Sequence, residues 1–127
     1  MKNPITIVDM LPIAVRTGDG VSDAVDMYQG GDYETALVLL GVGNFTGTPD
    51  SVTAAVYESD DAAFGSSTVA AGGEAQTVVA DTAYQFKVKR TKRYLRLVYD
   101  FTGGTTPTAE LHASAILTNW AIPFNIR

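Results

Sequence analysis

In RYLRLVYDF, residues 93–101, Leu95, Leu97, Tyr99 and Phe101 fall on one side of an extended chain. Tyr94, Arg96, Val98 and Asp100 fall on the other. A helix cannot present such a row, because its side chains return to one face every three to four residues. The run YQFKVK repeats the pattern, with Tyr84, Phe86 and Val88 alternating with Gln85, Lys87 and Lys89. The polar RTKR lies between the two runs, and on sequence alone the pair reads as a β-hairpin.

Further strands are expected over Tyr33 to Val42, Val52 to Glu58 and Leu111 to Thr118, with shorter ones near Ile13 to Arg16 and Ala24 to Tyr28. YETALVLLG also fits a helical stripe through Tyr33, Leu37 and Leu40, but its length and glycine boundaries favour a buried strand. The gaps hold TGDG, QGGD, GNFTGTPD, AAGGE and TGGTTPT, where glycine supplies positive φ and proline fixes a turn. The fold expected is all-β: a single antiparallel β-sandwich or jelly-roll domain over residues 24–127. Residues 1–23 form an N-terminal segment that reads equally as an extended arm or as an edge strand.

A chain of 127 residues can bury roughly two-thirds of its unfolded surface and needs no covalent staples. It has no cysteine and one histidine, so thiolate and multi-histidine metal sites are excluded, and no cofactor is expected. The opening MKNPITIVDMLPIAV carries Pro4, Asp9 and Pro12 within its apolar residues and reads as mature sequence rather than a signal peptide. No apolar run approaches the ~20 residues of a membrane span, so no membrane partner is expected. A pI near 4.6 argues against nucleic acid as the main partner.

The residues that could carry chemistry are few. His112 lies opposite Leu111 and Ala113 in the alternation, sharing a face with Ser114 and Ile116, and no nucleophile motif accompanies it. It reads as a strand-surface histidine, and the chain is not expected to be an enzyme. Glu58, Asp60 and Asp61 in YESDDAAF have the oxygen chemistry for calcium but lack the ligand series and closing glutamate of an EF-hand. A solvated turn is the expectation, and two carboxylates on one loop do not make a glycosidase pair. The glycine pairs sit between strands rather than before a helix, so they read as turns and not as phosphate cradles. At the C-terminus Trp120, Ile122, Phe124 and Ile126 alternate into an apolar stripe that either this domain or a symmetric partner could bury.

The order AVDMYQGGDYETALVLLGVG, VTAAVYESDDAAF and TKRYLRLVYDFTGGTTPTAELHASAIL resembles small structural proteins of tailed-phage heads. In these, a strand ending in an ESDD-like turn precedes a KRYLR-like strand, a TG turn and a final apolar strand. Here those are Glu58 to Asp61, Lys92 to Arg96, Thr102 with Gly103, and Leu111 to Leu117. The resemblance implies a head decoration, or cement, protein: a β-sandwich, often trimeric, on the outer surface of the capsid, bound to the major capsid protein and joining capsomers. It carries no residue-level binding site and matches the first twenty-odd residues least.

Phe86 to Phe101 holds six of the nine basic residues of a chain with net charge −5. A hairpin would put Lys87, Lys89 and Arg96 on one solvent face with Arg90, Lys92 and Arg93 at its turn. That would make a positive end suited to docking on an acidic shell, with Trp120 and Phe124 as further contacts. The bland alternative pairs these charges within the chain, with Asp100 or Glu110 as partners. A different function, a tail- or fibre-associated module gripping host carbohydrate through Tyr57 or Trp120, fits the same fold.

Overall fold

The computed structural model describes residues 5–28, 33–47, 51–104 and 107–119. Among these residues ten strands carry the fold: β1 (Thr6–Arg16), β2 (Gly20–Val21), β3 (Val25–Asp26), β4 (Thr35–Thr46), β5 (Ser51–Ser59), β6 (Thr68–Val69), β7 (Gln76–Val78), β8 (Thr82–Lys89), β9 (Tyr94–Thr102) and β10 (Thr108–Thr118). They form two antiparallel sheets, a four-stranded one in the order β1-β10-β4-β8 and a six-stranded one in the order β2-β9-β5-β6. In the second, β3 also pairs with β9 and β7 with β5. The chain is an all-β antiparallel sandwich.

Alternation explains which side of each sheet meets the other. On β9, Leu95, Leu97 and Tyr99 are buried; on β10, Leu111, Ala113, Ala115 and Leu117; on β4, Ala36, Val38, Leu40 and Val42. The period along β4 is therefore two, and the helical reading of YETALVLLG fails. Tyr33, Phe86, Met10 and Met27 are the largest side chains wholly buried between the sheets. The alanines on β10 leave volume for large neighbours of this kind. The Tyr33 hydroxyl, which needs a partner when buried, shares a 2.5 Å hydrogen bond with Thr6 Oγ1 on β1.

The N-terminal run owes its irregularity to its place at an edge. β1 pairs with β10, but its register shifts between Asp9 and Leu11 and again between Leu11 and Ala14, the second shift spanning Pro12. Proline lacks an N–H and is tolerated in a sheet only at such an edge. Bulges and proline together make the edge a poor template for further strand pairing. On the other sheet Ser22 joins two short strands into one edge: its N–H donates to the Leu97 carbonyl at 2.8 Å, and its Oγ accepts from the Leu97 N–H at 2.9 Å.

The hairpin expected from YQFKVK-RTKR-YLRLVYDF does not form. β8 pairs with β4 in the four-stranded sheet, from Thr35↔Lys89 to Val42↔Thr82, whereas β9 pairs with β5 in the six-stranded sheet, from Ser51↔Thr102 to Ser59↔Tyr94. RTKR is thus a crossing between sheets. Alternation fixed the inward face of each strand correctly, but it holds no information about which strand lies alongside. Nearby, residues 70–73 tie the two layers together: Ala70 N–H donates to the Val56 carbonyl and Val56 N–H to the Gly73 carbonyl on the β5 side. Lys89 N–H donates to the Ala71 carbonyl on the β8 side.

Candidate functional site

The crossing brings the basic and acidic motifs of the sequence to one end of the sandwich. Glu58, at the end of β5, is 4 % exposed. Its Oε1 accepts the Thr91 N–H at 2.7 Å and the Lys92 N–H at 3.1 Å, and its Oε2 accepts the Thr91 hydroxyl at 2.7 Å. The expectation of a wholly solvated ESDD turn is therefore wrong at its first residue. A turn that crosses between sheets has no ladder to satisfy its N–H groups, and this carboxylate takes that role. Asp61 organises its own loop, accepting the N–H groups of Ala63 at 3.0 Å and Gly65 at 3.2 Å. Asp60 reaches the Arg93 N–H at a long 3.4 Å.

Asp26 on β3 closes the other side. Its Oδ1 accepts from Arg93 Nε and its Oδ2 from Arg93 Nη2, both at 2.9 Å, in a two-pronged ion pair. Oδ1 also accepts the Tyr28 N–H at 2.9 Å, and Met27 N–H donates to the Arg93 carbonyl at 2.9 Å. The Tyr28 ring, 47 % exposed, lies 4.8 Å from the Arg93 guanidinium and 4.9 Å from that of Arg90. Arg93 also lies 5.1 Å from the Tyr94 ring. Arg90 is held from behind, its Nε donating to the Tyr33 carbonyl. These distances lie within the range in which a guanidinium is attracted to an aromatic face.

The arrangement corrects the picture of a positive pole. Lys87 and Lys89 belong to the outer side of the four-stranded sheet and Arg96 to that of the six-stranded sheet, so they share no face. Arg90, Lys92 and Arg93 do gather at one end, but against Asp26, Glu58 and Asp60. The charge pair is Arg93 with Asp26, whereas Glu58 and Asp60 accept backbone N–H groups of the turn. Trp120 and Phe124 lie outside the described residues. His112 is exposed and lies across Gly41 on β4, where any Cβ would collide with its ring, so it covers a glycine in the sheet. Among the described residues no group of three or more His, Asp or Glu side chains is placed to hold a metal ion.

Arg93 holds the Asp26 carboxyl below the ordinary aspartate value of 3.8, its hydrogen bond being the main cause. A depressed folded-state value means that the pair stabilises the fold above the unfolded value and loses that contribution as pH falls through the folded one. The melting-temperature gap between the parent and Asp26→Asn is therefore expected to be present at neutral pH and to close below about pH 4. Melting curves from pH 7 to pH 2 check it; a gap unchanged at pH 2 would mean that the charge is not what Asp26 contributes.

Sequence reasoning missed Asp26, Tyr28 and the buried role of Glu58. Arg93 stands 67 residues from Asp26 and Thr91 stands 33 from Glu58, and no local signal joins them. What the end of the sandwich holds is a set of planar donors and an aromatic face, fixed in position by Asp26, Glu58 and the Tyr33 carbonyl.

The sequence matches no protein-family model and no curated protein. Among solved structures, the chain is similar to the crystal structure of the SPBc2 prophage-derived protein YomS, with a TM-score of 0.50, 11 % identity, and coverage of 93 % of this chain and 96 % of that one. It also aligns with the crystal structure of FlhE at a TM-score of 0.45 and 12 % identity, over 90 % of this chain and 95 % of that one. At such identities what the chain shares with the prophage-derived protein is its fold, along nearly the whole length of both.

Proposed function

We propose that this chain is a decoration (cement) protein on the outer surface of a tailed-phage capsid, attached to the major capsid protein through the Tyr28, Arg90 and Arg93 end of the sandwich, and a homo-oligomer, with a trimer favoured. The observation that carries the reading is the fixed state of that end. Tyrosine and arginine dominate the energetics of protein interfaces, and side chains already held in place lose little freedom on binding. Asp26 and the Tyr33 carbonyl hold the two guanidinium groups, and Glu58 holds the turn that carries them. The pattern shared with head structural proteins and the fold shared with a prophage-derived protein point the same way.

The first experiment is the copy number of the chain relative to the major shell protein, by quantitative mass spectrometry of purified particles. Near-stoichiometric abundance is the expected result, and a handful of copies would move the protein to the tail and favour the carbohydrate-binding alternative. In a reattachment assay on particles stripped of the protein, Tyr28→Ala is expected to weaken binding at least about tenfold, as for an interface anchor. Its melting temperature should change little, since the ring is half exposed. Unchanged reattachment would rule this end out as the contact.

A further inference from the structure

The outer face of the six-stranded sheet carries a second feature, centred on Arg96. Leu95 and Leu97 point into the core, so Arg96 between them points outward, directly opposite Tyr57 of β5, which in turn faces Val69 of β6. In the next row Val21, Val98 and Ala55 lie side by side. Val21 and Val69 are exposed and Tyr57 and Val98 half-buried, so the two rows make an apolar surface around one cation.

That cation is set up and left without an acceptor. The Arg96 guanidinium lies 4.3 Å from the ring of Phe64, a residue 7 % exposed that stands apart from the main core. Phe64 has φ of +54°, a strained conformation for a bulky side chain. It is held there by the Asp61 loop, with its own N–H donating to the Asp61 carbonyl at 2.8 Å. Strain of this kind persists only where surrounding contacts impose it, and here it puts an aromatic platform under a guanidinium. Arg96 Nε is buried with no hydrogen-bond partner, and among the described residues no carboxylate lies within ion-pairing distance of it. Asp26 is engaged with Arg93, Glu58 with Thr91 and Lys92, and Asp61 within its loop. In a chain with net charge −5, an unpaired arginine with its Nε buried and apolar side chains around it has the make-up of an interface anchor lacking its counterpart.

We infer that this face is a protein contact surface separate from the Tyr28 end, and that its occupant is an apolar segment of another protein bearing one carboxylate, which pairs with the accessible edge of the Arg96 guanidinium. The charge selects an acidic residue, the valines and Tyr57 select apolar flanks, and the sheet face favours an extended segment.

The test is an NMR titration of the labelled full chain with the capped tripeptide acetyl-Leu-Glu-Leu-amide, and in parallel with acetyl-Leu-Gln-Leu-amide. The glutamate peptide is expected to move the Arg96 Nε–H resonance and the Tyr57 and Val98 amides saturably, with a millimolar Kd of about the size one anchor supports. The glutamine peptide should bind at least about tenfold more weakly. Arg96→Gln, checked for its fold by its amide spectrum, should abolish the difference between the peptides. Equal response to both peptides, a preserved preference in Arg96→Gln, or no response up to about 20 mM would overturn the assignment. The same shifts on concentrating the protein alone would make the occupant a second copy and overturn it equally.

Discussion

Replacing Gly72 with alanine is expected to lower stability by at least about 3 kcal/mol, enough to shift the midpoint of a urea unfolding curve by about 1 M or more. Gly72 has φ of +87°, and a Cβ there would fall well inside contact distance of the Lys87 carbonyl oxygen. A flexible side chain could move aside, but this is main chain within β8. The loop would have to lift, breaking the Ala71 bridge to Lys89 and straining the hydrogen bonds to Val56 that join residues 70–73 to the other sheet. Gly18 is the control, since nothing lies within 4 Å of a Cβ placed there and its backbone needs no positive φ. Gly18→Ala is expected to stay within about 0.5 kcal/mol of the parent. Similar midpoints for both variants would mean that the loop does not tie the layers together.

Glu58→Ala is the second large loss, about 3 kcal/mol by equilibrium unfolding. The substitution removes a buried carboxylate and leaves the Thr91 N–H, the Thr91 hydroxyl and the Lys92 N–H without the acceptor that a ladder would otherwise supply. Glu58→Gln retains an acceptor of nearly the same shape and should cost about half as much. Hydrogen exchange at the Thr91 and Lys92 amides separates a local effect from a global one: in Glu58→Ala both should exchange faster than the β4 core amides. If those two amides stay as protected as in the parent, the carboxylate is not what holds the crossing. The same variant tests the link between fold and function, because a loosened crossing no longer presents Arg90 and Arg93 to Tyr28.

The two predictions draw on relations of different legibility. That residues 70–74, AAGGE, form a turn was plain from their glycines. That one of those glycines lies against the β8 main chain was not, because the contact joins segments that only the sandwich brings together. Glu58 was visible as an acidic residue beside a strand end, yet an acidic cluster at a turn ordinarily faces water, and its burial depends on a loop more than thirty residues away. Phe64 read as one flank of a turn, with no sign that it would lie under Arg96.

By itself the sequence determined the local geometry: an all-β chain, the inward faces of β8 and β9, and the turn at the AAGGE glycines. It could do so because side-chain alternation and positive-φ demands are set by each residue and its immediate neighbours. Only the tertiary structure decided that β8 and β9 lie in different sheets, that RTKR is a crossing held by Glu58, and that Arg93 meets Asp26 while Arg96 meets no carboxylate. Those outcomes depend on which strands lie side by side. An alternating strand buries the same apolar face beside any neighbour, so its pattern leaves the neighbour open, and the packing of both sheets together makes the choice.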